Sequence, residues 1–140
     1  MKALLDQFKG FYSDLKQVDL GTLDQIYHEN VVFKDPVHQI RGLSSIHRYM
    51  EQLCADVEVC RFEFLDQLEA GDAAYLKWNM HFRHPKLGNK TITVRGITQI
   101  HCKNGLIDFH EDVYDMGAMI YEHVPLLGVV TRWLKRRLAA

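Results

Sequence analysis

This 140-residue chain lacks several features that would point to a function directly. Its three cysteines, Cys54, Cys60 and Cys102, form no CxxC pair, which argues against a disulfide framework or a thiolate zinc site and suggests reduced thiols. No apolar run approaches the roughly 18 residues of a membrane-spanning helix. Basic residues are not in excess: seventeen Lys and Arg stand against eighteen Asp and Glu, for a net charge of -1. The global positive footprint of a nucleic-acid binder is therefore missing, and no nucleic-acid partner is expected. Eight histidines occur without an HExxH motif or a close histidine–carboxylate triad, so no metal site is expected. There is no internal repeat, low-complexity tract or linker, and one domain over residues 1–140 is expected. The amino terminus reaches Asp6 before a signal-peptide core could form, which points to the cytoplasm.

What is present is an ordinary globular composition, 47% apolar and 25% charged, in a chain long enough to bury a core unaided. Leu4, Leu5, Phe8, Phe11, Tyr12 and Leu15 form a helical stripe over about residues 2–16. Asp19 is placed to cap a second helix carrying Leu20, Leu23, Ile26 and Tyr27 and ending near His28. Val31-Val32-Phe33 reads as a short strand stopped by Asp35-Pro36. A third helix is expected from Gly42 to Cys54, begun by Ser44 or Ser45.

The hydrophobic period then changes from 3.6 to 2. Residues 58–68, 73–82, 90–102 and 106–115 read as four strands. Their breaks are turn-like, including Ala70-Gly71-Asp72 and Lys103-Asn104-Gly105, and favour antiparallel hairpins. A helical tail follows Gly117, with Pro125 in a first turn. Helices followed by a meander imply an α+β fold.

Two stretches carry a resemblance. Asp19-Leu20 through Phe33-Lys34-Asp35-Pro36-Val37, with Gly42 opening the next helix, is similar to the ketosteroid isomerase segment that bears a catalytic Asp-Pro-Val. His110-Glu111-Asp112-Val113-Tyr114-Asp115 is similar to the last-strand motif of limonene epoxide hydrolases. Over about residues 4–116 the chain resembles the nuclear transport factor 2-like superfamily, which includes both enzymes and the SnoaL-like polyketide cyclases.

The resemblance implies a cone: a strongly curved mixed sheet wrapped around N-terminal helices, here with an extra C-terminal helix at 117–140. It implies a cofactor-independent acid/base site for a small organic molecule, with Asp35 as base and His110–Asp112 as a second acid/base or orienting pair. A non-catalytic ligand-binding or regulatory module is the alternative.

The same comparison puts Phe11 where the isomerases have a donor tyrosine. Tyr12, one residue and ~100° away, is not expected to replace it. Thr98 falls where the isomerases have a donor Asp. Lys77 and Asn79 fall on an Arg-x-Asp pair. His38, three residues after Asp35, is expected on the pocket rim or in solvent. Strand alternation then puts Lys77, Asn79, His81, Thr98, His110, Asp112 and Tyr114 inside, with Lys77 and Asn79 holding a polar or anionic substrate group. Trp78, Met80, Phe82, Ile107 and Phe109 would lie outside as a homodimer surface. Periodicity alone permits the opposite assignment, with Trp78 and its apolar neighbours in the core.

The tail from Val124 to Ala140 alternates Leu126, Val129, Val130, Trp133, Leu134 and Leu138 with Arg132, Lys135, Arg136 and Arg137. Docking on the body or a lid over the cone is the expected role, and contact with an anionic membrane surface is the alternative.

Overall fold

The computed structural model describes residues 1–120 and 125–139, without the side chains of Pro125 and Leu126. The readings made for Val124, Leu126 and Ala140 therefore lie outside the described residues. Helix α1 covers Lys2–Ser13, and a 3₁₀ turn covers Leu20–Gln25. Strands β1 (Tyr27–Lys34) and β2 (Gln39–Arg41) follow, then α2 (Leu43–Asp56). Next come β3 (Val59–Ala70), β4 (Ala73–Arg83), β5 (Ile92–Lys103) and β6 (Leu106–Tyr114). The short α3 (Met116–Met119) and the longer α4 (Pro125–Ala139) complete the order. The six strands form one mixed sheet in the order β2-β1-β6-β5-β4-β3, with β1 parallel to β6 and every other pair antiparallel.

Several expectations hold and several are corrected. Asp19 caps as foreseen, accepting from the Gly21 N–H, but its helix is only a 3₁₀ turn. The chain then enters β1 at Tyr27, because Tyr27, Val32 and Phe33 find partners in β6. Helix α2 is capped by Gly42 at φ 90° and by neither Ser44 nor Ser45. The β5–β6 turn has Asn104 and Gly105 both at positive φ, as a two-residue hairpin with this twist requires.

The largest correction concerns β4. Leu76, Trp78, Met80 and Phe82 are buried, and they alternate with exposed or half-buried Lys77, Asn79 and His81. The apolar set therefore faces the helices, and the polar set lies on the outer face. Each large apolar side chain contributes about 1.5–3 kcal/mol when buried, far more than exposed polar groups gain by entering the core. The expected homodimer surface loses Trp78, Met80, Phe82 and Ile107 for the same reason. Only Phe109 stays on the outer side, under the Lys34 ammonium.

On β6 the opposite set turns inward. The register slips between His101↔Phe109 and Cys102↔Ile107, leaving Asp108 as an extra residue. This bulge lets Ile107 and His110 both face the core, and it adds to the curvature of the sheet. Gly96 stands opposite Trp78 on β5, where a Cβ would meet the indole Cη2 at 2.2 Å. The absent side chain is the space the indole fills.

Candidate functional site

The concave face of the sheet, α1, α2 and α3 line a partly open cavity of about 320 Å³. Its walls are mostly apolar, with Phe33, Met50, Phe62, Trp78, Met80 and Phe82 prominent. Its polar groups are few: the Tyr12, Tyr49 and Tyr114 phenols, the Asp35 and Asp112 carboxylates, and His84 and Lys86. Lys86 is exposed, on the short turn after β4.

Behind one wall runs a continuous hydrogen-bonded relay. Trp78 Nε1 donates to Thr98 Oγ1 at 2.7 Å, and that hydroxyl donates to Asp112 Oδ1 at 2.6 Å. His110 Nε2 lies 2.7 Å from the same Oδ1, and its Nδ1 lies 2.7 Å from the Tyr27 hydroxyl. Tyr27 is 2.6 Å from the Tyr12 hydroxyl, which returns the relay to the cavity. His110 is 1% exposed and packs among Phe8, Phe33 and Tyr27.

Two proton arrangements satisfy this chain. A neutral His110 that donates from Nε2 accepts from Tyr27, which accepts from Tyr12. A charged His110 donates at both ends and reverses the two phenols, freeing the Tyr12 O–H to donate into the cavity.

Asp112 Oδ2 has no hydrogen-bond partner among the described residues, nor has the Tyr114 hydroxyl. Both residues line the cavity from one face of β6. Burial pushes the Tyr114 phenol well above its ordinary range, and the nearby Asp35 and Asp112 charges push it further. Tyr49 is raised by burial first and then by Asp35. Burial raises Tyr12 and Tyr27 as well, Tyr12 with a further push from Tyr27. All four phenols therefore stay protonated at neutral pH and can donate.

Asp35 lines the same cavity but is heavily engaged. Its Oδ1 accepts from the Val37 and His38 backbone N–H groups at 2.8 and 2.6 Å, closing the β1–β2 turn. His38 Nδ1 lies 3.0 and 3.1 Å from the two oxygens, and Tyr49 donates to Oδ2 at 3.4 Å. His38 thus holds Asp35 from outside and does not line the cavity.

The structure brings Asp35, Asp112 and Tyr114 to one cavity, with His110 and Thr98 directly behind Asp112. It removes Lys77, Asn79 and His81, which face outward; Asn79 and His81 both meet Glu63 there. An anionic substrate group held by Lys77 and Asn79 is excluded with them. Phe11 is buried away from this cavity, and Tyr12 takes the wall. The 100° step expected to exclude Tyr12 excludes Phe11 instead. Tyr27, Tyr49 and Trp78 were missed as site residues. Asp35-Pro36-Val37 marked the turn facing Tyr49, but nothing local marks Tyr27 as a partner of His110, 83 residues away.

No group of three or more metal-ligating side chains occurs among the described residues. The three cysteines are free; burial raises Cys54 and Cys102 and pushes Cys60 up to about 12, so these thiols are poor nucleophiles.

Residues 8–110 match the family model described as the SnoaL-like domain. No curated protein matches the chain. Among solved structures, one protein assigned as a SnoaL-like polyketide cyclase, from Shewanella putrefaciens, is 20% identical with a TM-score of 0.71. That match covers 84% of this chain and 91% of the other. A Catenulispora acidiphila protein with a ketosteroid isomerase-like fold, in complex with trimethylamine, gives 13% identity and a TM-score of 0.73, covering 82% and 87%. A nuclear transport factor 2-like protein from Burkholderia pseudomallei gives 14% identity and 0.74, covering 86% and 96%. At these identities the structural matches show the fold.

Proposed function

Since the chain belongs to the SnoaL-like domain family, we propose that it binds a small organic molecule in the cone and moves a proton on it, with Asp112 as the base. One observation carries this reading. Asp112 is fixed through Oδ1 by Thr98 and His110, while Oδ2 has no partner among the described residues and the residue lines a mostly apolar cavity. A carboxylate so placed is oriented without being consumed by its partners, as general-base catalysis requires. Asp35, capping its turn with both oxygens engaged, contributes negative field to the cavity wall.

The reaction class is proton transfer next to a carbonyl. Asp112 Oδ2 takes the α-proton, and the C–H electron pair moves onto the carbonyl oxygen. The Tyr114 hydroxyl, whose residue lies two positions along the same face of β6 with a backbone spacing of about 7 Å, donates to the resulting enolate. Returning the proton to another carbon of the conjugated enolate isomerises the substrate; attack of the enolate carbon on a second carbonyl carbon of the same substrate closes a ring, the C=O π pair moving to that oxygen, which takes the proton back from Asp112. No cofactor is needed for either outcome.

The ligand is expected to be compact and largely apolar, because the cavity lies at the small end of the ligand-pocket range. It is expected to be neutral or cationic at its polar end, because that wall presents two carboxylates and three phenols. The trimethylamine bound by the Catenulispora acidiphila relative fits such a composition.

The test is α-proton exchange in D₂O, followed by NMR on cyclic ketones such as 2-tetralone. Wild-type protein is expected to accelerate exchange saturably. Asp112→Asn is expected to lose at least about a hundredfold in rate while keeping ketone-induced shifts of cavity resonances. Binding without exchange in the wild type would assign the cone a non-catalytic ligand-binding role. Unchanged exchange in Asp112→Asn would remove Asp112 as the base.

A further inference from the structure

We infer that α4 is a docking element for an anionic lipid surface. The observation is the way the helix is attached. Lys135 pairs with Asp115, Thr131 lies against Gly117, and Gly128 is buried. On a helical projection, at 100° per residue, Gly128, Thr131 and Lys135 share one edge. The helix is thus fastened to α3 by its small and polar edge, and its apolar stripe points away from the body. Leu127, Val129, Val130, Trp133, Leu134 and Leu138 are 47–88% exposed. The expected lid is corrected accordingly, because the stripe that would have closed the cone lies in solvent.

Charge decides what covers this stripe. From Pro125 to Ala139 the helix carries four basic residues and no acid. Removing those four from the seventeen Lys and Arg leaves thirteen against eighteen acids for the rest of the chain, so the positive charge is concentrated on α4. A second copy packed stripe to stripe would bring two such helices together in mutual repulsion. An anionic bilayer surface accepts both the apolar stripe and the guanidinium groups of Arg136 and Arg137. Arg137 lies over the Trp133 ring, 5.3 Å from its centroid, pairing a cation with an aromatic as interfacial residues do. Among the described residues no helix is long and apolar enough to cross a membrane, so α4 would lie in the interface plane.

The docking site on α3 adds a consequence. Gly117 receives α4, while Met119 on the same short helix lines the cavity. A lipid-bound α4 would hold this rim close to the bilayer, where apolar ligands partition. The inference about α4 stands independently of the chemistry proposed for Asp112.

The test is co-sedimentation of the full chain with large unilamellar vesicles of pure phosphatidylcholine or with 30% phosphatidylserine. Binding is expected only with phosphatidylserine, falling steeply between 50 and 500 mM NaCl. The Arg136→Gln/Arg137→Gln double variant is expected to bind more than tenfold more weakly. Val130→Glu/Leu134→Glu is expected to abolish binding. Both changes sit on exposed positions, so unchanged thermal unfolding would show that the fold is intact. No sedimentation at 50 mM NaCl, binding indifferent to phosphatidylserine, or binding retained by Val130→Glu/Leu134→Glu would each overturn the inference. A concentration-dependent dimer that the glutamates dissolve, without vesicle binding, would assign the stripe to a second copy and overturn it equally.

Discussion

Strands β4 and β6 carry similar alternations of polar and apolar side chains, yet they turn opposite sets toward the helices. On β4 the inward set is Leu76, Trp78, Met80 and Phe82; on β6 it includes His110, Asp112 and Tyr114. The difference lies in what each polar set can find inside. His110 and Asp112 meet Tyr27 and Thr98, so their burial leaves few orphaned groups. Lys77 and Asn79 have no such hosts, while their apolar neighbours have a core to fill. Polarity on an inner face therefore needs a prepared partner on another strand.

Breaking β4 should have the largest effect. Trp78→Ala is expected to cost about 3–5 kcal/mol, and Lys77→Ala no more than about 0.5, in urea unfolding. Comparable losses for the two would mean that the faces are reversed. Gly96→Ala is expected to cost about 1–3 kcal/mol through overpacking against the indole, with a shifted Trp78 emission as the independent sign. An unperturbed emission would deny the close approach. Beside β6, on its β5 neighbour, Thr98→Val is expected to cost about 2 kcal/mol, because it strands the Trp78 N–H and strips Asp112 of a donor. The same substitution should slow ketone exchange without removing ketone binding.

The smallest effect is outside the cone. The Lys135 ammonium, with help from the Gly117 N–H, holds the Asp115 carboxyl below its ordinary range, against a smaller push from burial. A carboxylate depressed on folding stabilises above its unfolded pKa, and that contribution is lost as pH falls through the folded value. Wild type should therefore melt slightly above Lys135→Gln at neutral pH, with the gap closing below about pH 4. A gap that does not shrink as pH falls from about 5 to about 2 would exclude the ion pair as its source.

Much of the fold was legible in the sequence. The α1 stripe, the Gly42 helix, the four long strands and the Asn104-Gly105 turn follow from periodicity and turn chemistry, which act within a few residues. The parallel β1–β6 pairing brought Phe33 opposite His110, and no local signal announces a contact at that separation. The candidate site was half legible. Asp35, Asp112, His110 and Tyr114 stood out through the two resembling stretches and Thr98 through its correspondence with the isomerases' donor Asp, whereas Tyr12 and Tyr27 did not.

The sequence by itself determined the first helix, the Gly42 helix and the four long strands in their order, the apolar rows, the bulk charge balance and the basic, acid-free character of the tail. These depend on neighbours along the chain and on side-chain chemistry alone. Tertiary structure decided which row of β4 faces inward, which of Phe11 and Tyr12 meets the cavity, and which edge of α4 meets the body. Each is a choice between nearly equivalent local patterns. It is settled by partners dozens of residues away: an indole-sized gap at Gly96, a phenol at Tyr27, a carboxylate at Asp115.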